Sequence, residues 1–279
     1  MGWIHEKELL EKVVPEASDV IVVAVGERFG QSGEKASKVN IAIPEGQQKL
    51  VSELAKTGKP VIALVMCGRP VIFNEIREHA DAVLCTWWLG SEAGNAICNV
   101  LWGEYNPSAK LPMTFPAHVG QIPIYYQNKS TGRPTALKQT YKASYIDAST
   151  EPAYPFGYGL SYTDFGYSDL KLLPGKAAGV HTEVSVKVTN TGKCAGEEVV
   201  QLYVQDKVAS VTRPIKELKG FRKIHLNAGE SKTVVFQITD DALGFYDNEM
   251  NYMVEPGDFV FMVGGSSDDV QQITYNLEE

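Results

Sequence analysis

Two glutamates, Glu27 and Glu34, sit within GERFGQSGE (26–34), directly after the apolar run VIVVAV (20–25). Open α/β sheets carry their reactive groups on loops at the carboxyl ends of buried strands, and a carboxyl placed there can donate or accept a proton. On general grounds either residue is also a solvated loop acid, the commonest fate of glutamate. The glycines invite a different reading, a phosphate-cradling loop. They fall at 26, 30 and 33, with Arg28 where a dinucleotide loop needs glycine, and helical patterning resumes only near Gln47. That is too late to aim a helix N-terminus at a pyrophosphate, so no nucleotide cofactor is expected. His5, His79, His118, His181 and His225 are isolated, which leaves no metal-ligand spacing and no expected metal. Neither G-x-S-x-G nor a P-loop nor H-E-x-x-H occurs. Carboxylate chemistry is what remains.

The elements that must hold such a carboxyl are legible around it. DVIVVAV (19–25), PVIALVM (60–66) and DAVLCTW (81–87) are short apolar runs separated by helical spacing. Leu50, Val51, Leu54 and Ala55 mark one helix; Ala93, Ala96, Ile97, Val100 and Leu101 mark another. Leu9, Leu10, Val13 and Val14 suggest a helix ahead of the first strand, and Pro70 suits the first turn of a further one. This is the pattern of an open, mostly parallel α/β sheet with covering helices, an α/β/α sandwich. Residues 104–165 lose periodicity and turn rich in Pro, Gly, Tyr, Asn and Ser, with enough aromatic side chains to imply a packed connector. Beyond Tyr167 the period becomes two: Val184, Val186 and Val188, then Val234, Phe236 and Ile238, then Phe259, Phe261 and Val263. An all-β, seven-strand antiparallel sandwich is expected there. The expected division is 1–118 for the α/β domain, 119–165 for the connector and 166–279 for the sandwich.

Composition narrows the partners. The 279 residues carry 26 basic and 34 acidic side chains, a net charge of −8, so neither nucleic acid nor an anionic membrane is recruited and a neutral ligand fits better. No apolar run reaches the length of a membrane span. Cys67, Cys85, Cys98 and Cys194 include no C-x-x-C pair and are expected as small buried hydrophobes.

Three ordered stretches carry a resemblance. VGERFGQSGEKASKVNIAIPEGQQKLVSEL (25–54), TWWLGSEAGNAICNVLWGEYNPSAKLPMTFP (86–116) and YPFGYGLSYTDFGYSDL (154–170) are similar to segments of glycoside hydrolase family 3, in its bacterial β-glucosidase branch. The last is similar to that family's entry into a fibronectin type III-like domain. Ala109, the segment LGSEAG (89–94) and Lys38 depart from the usual pattern. In the family the acid/base commonly comes from the second domain, and the matching residue is the Glu of SGE, Glu34; Glu27 matches a structural position. Ser32 and Lys38 are expected only to shape the loop, and Gly30 and Gly33 to make it flexible.

The resemblance also implies a partner domain. A retaining glycosidase needs two carboxyls about 5–5.5 Å apart, and the family's nucleophile is an Asp of an N-terminal (β/α)8 barrel that is absent from these 279 residues. The expectation is therefore a C-terminal portion of a β-glucosidase acting on β-glucosides or oligosaccharides, inactive without the barrel. A β-xylosidase of the same family and a stand-alone carbohydrate-binding module, using Trp87, Trp88, Tyr125, Tyr126, Tyr154 and Tyr158, are the alternatives. By the same resemblance the location is periplasmic or secreted, and a homodimer is allowed.

Overall fold

Strand β1 (Ile21–Gly26), β2 (Val61–Met66) and β3 (Ala82–Cys85) form a parallel sheet in the order β1-β2-β3. The computed structural model describes residues 18–28, 30–130, 132 and 144–278, so the helix expected around Leu9–Val14 lies outside the described residues. Register runs Ile21↔Val61 through Gly26↔Met66 on one side of β2 and Ile62↔Ala82 through Val65↔Cys85 on the other. Helix α1 (Glu45–Ala55) joins β1 to β2 and α2 (Asn74–His79) joins β2 to β3. Right-handed crossovers put both helices on one face of a sheet in sequential order, and the two pack on each other. That face is the drier one: Val61, Ala63, Val65 and Cys67 are fully buried, under Val51 and Leu54 of α1 and Ile76 of α2. On the other face Val20 and Val22 are 46% and 45% exposed. Helix α3 (Ala93–Leu101) follows a 3₁₀ turn at Gly90–Glu92.

Pro70 is not in a helical turn. Ala42 and Ile72 form a parallel bridge, and Ile43 N donates to Ile72 O at 2.9 Å while Ile72 N donates to Ile41 O at 3.1 Å. These bonds keep residues after Pro70 extended and delay α2 to Asn74. The cysteine expectation also needs correcting: Cys67 is buried and Cys85 partly so, but Cys98 and Cys194 are exposed. Cys98 lies on α3, whose residues are at most half-buried.

By contact the chain divides into two units, residues 1–101 with 115–122, and residues 102–114 with 123–279. The second unit holds the sandwich. One sheet is β12 (Val270–Leu277), β11 (Gly257–Gly264), β6 (Gly196–Asp206) and β7 (Glu217–Leu226); the other is β4 (Phe165–Pro174), β5 (Val180–Asn190) and β8 (Ser231–Thr239). The period-two residues meet between them: Val184, Val186 and Val188 from β5, Phe236 and Ile238 from β8, and Phe259, Phe261 and Val263 from β11. Short α4 (Asp240–Leu243) and the ladder of β9 (Phe245–Tyr246) with β10 (Tyr252–Met253) complete it. Two aromatic side chains of the stretch before the sandwich pack against β6. Tyr126 stacks on Phe156 at 4.4 Å between ring centroids, and both stand edge-on to the fully buried Tyr203. A backbone bridge from Lys129 to Pro214 fastens the same stretch to the chain leading into β7.

Candidate functional site

The carboxyl ends of β1, β2 and β3 deliver three loops to one edge of the first unit. The loop after β1 starts under tight steric control. Gly26 has φ +130°, and a Cβ on it would come 1.9 Å from Met66 O, so only glycine lets β1 and β2 run side by side to this point. Its peptide is then gripped by one side chain of α1: Gly26 N donates to Gln47 Oε1 at 2.7 Å, and Gln47 Nε2 donates to Gly26 O at 3.2 Å.

Glu27 and Glu34 have separate fates. The Glu27 side chain is 2% exposed and ion-paired to Arg69, Nε to Oε1 at 3.0 Å, and to Lys38 at 3.4 Å. Gly68 N also donates to its Oε2 at 3.3 Å. A buried carboxylate with two cations and a peptide N–H is a structural keystone, since its charge is balanced and its lone pairs are occupied. Glu34 is exposed. It is a central residue of a turn closed by Ala36 N donating to Gly33 O at 3.2 Å, with Gly33 at φ +104° and Lys35 at φ +61°. Lys35 is a non-glycine residue held left-handed, a costly conformation that lasts only where surroundings enforce it.

Those surroundings are the side chain of Arg69. Its Nη2 donates to Gln31 O at 2.6 Å and to Ala36 O at 2.8 Å, so one guanidinium grips the loop on both sides of Glu34 while its Nε holds Glu27. Ser32 closes the packing: a Cβ on Gly68 would fall 1.9 Å from Ser32 Oγ and 2.9 Å from Trp88 Nε1. The glycines supply backbone shape at φ +82° and +104°, and Arg69 supplies restraint. Lys38 pairs with Glu27 at 3.4 Å.

The loop after β3 brings aromatic surface. Trp87 has φ +52° and meets the buried Phe115 edge-on at 5.7 Å, whereas Trp88 is 47% exposed beside Gly68. Among the described residues of this edge, Glu34 is an exposed carboxyl on a restrained turn, and the exposed indole of Trp88 lies beside Gly68. No cluster of three His, Cys, Asp or Glu suited to a metal occurs among the described residues. A cleft of about 550 Å³ is lined by sandwich residues including Lys176, Lys219 and Arg222 and does not contain Glu34.

Arg69, Gln47 and Gly68 were not anticipated. The signal for Gly68 and Arg69 is the polar step CGR (67–69) at the end of an otherwise apolar strand, a position where such residues face the functional edge.

Against known families, the profile of the Glycosyl hydrolase family 3 C-terminal domain matches residues 7–162. The chain belongs to glycoside hydrolase family 3. A Fibronectin type III-like domain profile matches residues 198–267, within the sandwich. Among curated family 3 relatives, the chain is 48% identical over 263 residues to a periplasmic beta-glucosidase of Salmonella typhimurium, covering 93% of this chain and 34% of that protein. It is 42% identical to a beta-xylosidase of Formosa agariphila, covering 94% of this chain and 36% of that one. The solved beta-glucosidase of Listeria innocua, in complex with glucose, superposes with a TM-score of 0.93 at 39% identity, over 100% of this chain and 39% of that one. The chain thus spans about a third of the length of these relatives. Its architecture, an α/β domain followed by a fibronectin type III-like sandwich, is that of the C-terminal portion of a family 3 enzyme.

Proposed function

We propose that this chain is the acid/base-bearing portion of a retaining β-glucosidase, with Glu34 as the proton donor and acceptor. The observation that carries the reading is the contrast between the two loop glutamates. Glu27 is buried and committed to Arg69 and Lys38, while Glu34 is exposed on a turn braced from both sides. A proton donor has to meet a leaving-group oxygen held by another domain, so it must project freely yet arrive in one place. The second carboxyl, the nucleophile, is to come from a domain that these 279 residues do not include; displacement with retention needs both within about 5.5 Å. The substrate class is a β-glucoside or an oligosaccharide with a terminal β-glucosyl unit, in line with the relatives named above, and a periplasmic or secreted location fits the Salmonella relative. Likeness to the Formosa beta-xylosidase supports a second reading with the same chemistry on a β-xyloside.

The test is a comparison of the 279-residue chain with the full-length enzyme on aryl β-glucosides and aryl β-xylosides. The full-length enzyme is expected to prefer glucosides, and the chain alone to hydrolyse neither. Hydrolysis by the chain alone that disappears in Glu34→Gln would overturn the two-domain reading, and a preference for xylosides would select the second.

A further inference from the structure

Cys67 and Cys85 were expected as unrelated hydrophobes, yet their sulfurs lie 4.0 Å apart at the carboxyl ends of β2 and β3. Val65 pairs with Cys85, so Cys67, two residues on, projects to the same face of the sheet. The two are chemically unequal. Cys67 is fully buried, and Cys85 is partly exposed. Cys85 is held below the ordinary thiol range, chiefly by its hydrogen bond with Cys67, against the opposing effect of burial and with a smaller contribution from the Trp87 backbone. Cys67 is pushed well above that range, by the same shared proton first and by burial second. A partly exposed thiol beside a fully buried one is the pairing of an attacking and a resolving cysteine.

We propose that Cys67 and Cys85 form a disulfide on exchange with a low-molecular-weight disulfide, and that closing it displaces the Gly68–Arg69 corner bracing the Glu34 turn. The Cys85 thiolate attacks one sulfur of the small disulfide, expelling one small thiolate and leaving a mixed disulfide. Cys67 then gives up its proton and attacks the Cys85 sulfur, expelling the second small thiolate. The protein dithiol is oxidised, the small disulfide is reduced to two thiols, and the two protein protons leave with them. The bond needs sulfurs about 2.05 Å apart, roughly half the present separation. The backbone after Cys85 resists moving, because Thr86 N and Thr86 Oγ1 both donate to Val65 O. Cys67 instead runs straight into Gly68, whose contact with Ser32 has no slack, and into Arg69, whose Nη2 holds the carbonyls on either side of Glu34. Drawing Cys67 toward β3 therefore moves the brace. Bond formation stands apart from the proposed glycosidase activity, and both readouts below are independent of it.

The test uses the folded chain in a Cys98→Ser, Cys194→Ser background, incubated with glutathione disulfide and mapped by peptide mass spectrometry. A Cys67–Cys85 linked peptide pair is expected, with amide exchange over residues 30–38 faster by about tenfold in the oxidised form. Cys67→Ala should stop at a glutathione adduct on Cys85, and Cys85→Ala should leave Cys67 unmodified while the chain stays folded. Recovery of both thiols free after incubation would overturn the proposal, as would an adduct forming on Cys67 as readily as on Cys85. A linked pair with unchanged exchange over 30–38 would overturn the coupling to the Glu34 turn.

Discussion

Replacing Arg69 with methionine keeps the aliphatic stem and deletes the guanidinium, which tests whether the Glu34 turn is braced or merely adjacent. Three interactions go: the 3.0 Å ion pair with Glu27 and the hydrogen bonds to Gln31 O and Ala36 O at 2.6 and 2.8 Å. Breaking a fully buried pair costs about 3–5 kcal/mol. Here Glu27 keeps Lys38 at 3.4 Å and the Gly68 N–H at 3.3 Å, so the lower end applies, and the two freed carbonyls on a surface loop are rehydrated at small cost. An expected loss of about 3 kcal/mol, over a urea slope of ~2 kcal/mol/M, lowers the midpoint of the α/β unit by ~1.5 M. Segment-resolved hydrogen exchange along a urea series reads this for β1 and β2, and in water the same experiment should show residues 30–38 losing protection ahead of the strands. In the full-length enzyme, kcat/KM is expected to fall by about 10²-fold, the effect of displacing a positioned catalytic group by an ångström. Unchanged exchange over 30–38, with a midpoint shift under ~0.3 M, would refute the brace and leave the turn's order without a cause.

Other variants probe the rest of the scaffold. Gly26→Ala puts a Cβ 1.9 Å from Met66 O at φ +130°; the expected loss is about 3 kcal/mol or more, read by the same urea series, and a wild-type midpoint would contradict the close approach of β1 and β2. In the sandwich, Lys110 Nζ lies 3.1 Å from Glu198 Oε2, whose carboxylate also accepts from Tyr167 OH at 2.8 Å. Lys110→Met strands that buried acid and should cost about 3 kcal/mol in chemical denaturation, whereas a neutral effect would mean the pair is dispensable. Glu197 is held below its ordinary value of 4.5, first by the hydrogen bond from Lys223, against desolvation as the next effect, and further by the Lys223 charge, Ser108 and Tyr105. A depressed carboxylate contributes stability that is complete above the unfolded value and is lost as pH falls through the folded one. Glu197→Gln should therefore shrink the stability difference between about pH 6 and about pH 3, measured by thermal unfolding at each pH, and an unaltered acid limb would contradict the assignment.

The sequence made the scaffold legible where burial imposes a repeating pattern. β2 is a continuous apolar run because the middle strand of a parallel sheet is covered on both sides, β1 is as apolar although Val22 on its second face is exposed, and β5 and β8 alternate in sequence because each turns one face to the sandwich core, while β11 buries Val260 and Met262 on its second face as well. Glu34 stood out only through the resemblance of SGE and its surroundings, since an exposed loop acid has no periodicity to mark it. What stayed hidden was long-range and polar. Arg69 reaches residues 33 and 38 positions earlier in the chain, Gln47 grips a peptide 21 residues back, and Cys67 finds Cys85 across 18. Each depends on strand register and crossover placement, which hydrophobic spacing does not encode. Pro70 misled for a related reason: the bridge from Ala42 to Ile72 claimed the backbone that local propensity assigned to a helix.

The central claim, that Glu34 carries the proton, is tested most directly by Glu34→Gly in the full-length enzyme, assayed with sodium azide on paired β-glucosides of good and poor leaving groups. The account predicts that the poor leaving group loses about 10²–10⁴-fold while the good one is largely spared, and that azide restores turnover with formation of β-glucosyl azide. Equal losses on both substrates, with no azide product, would contradict it.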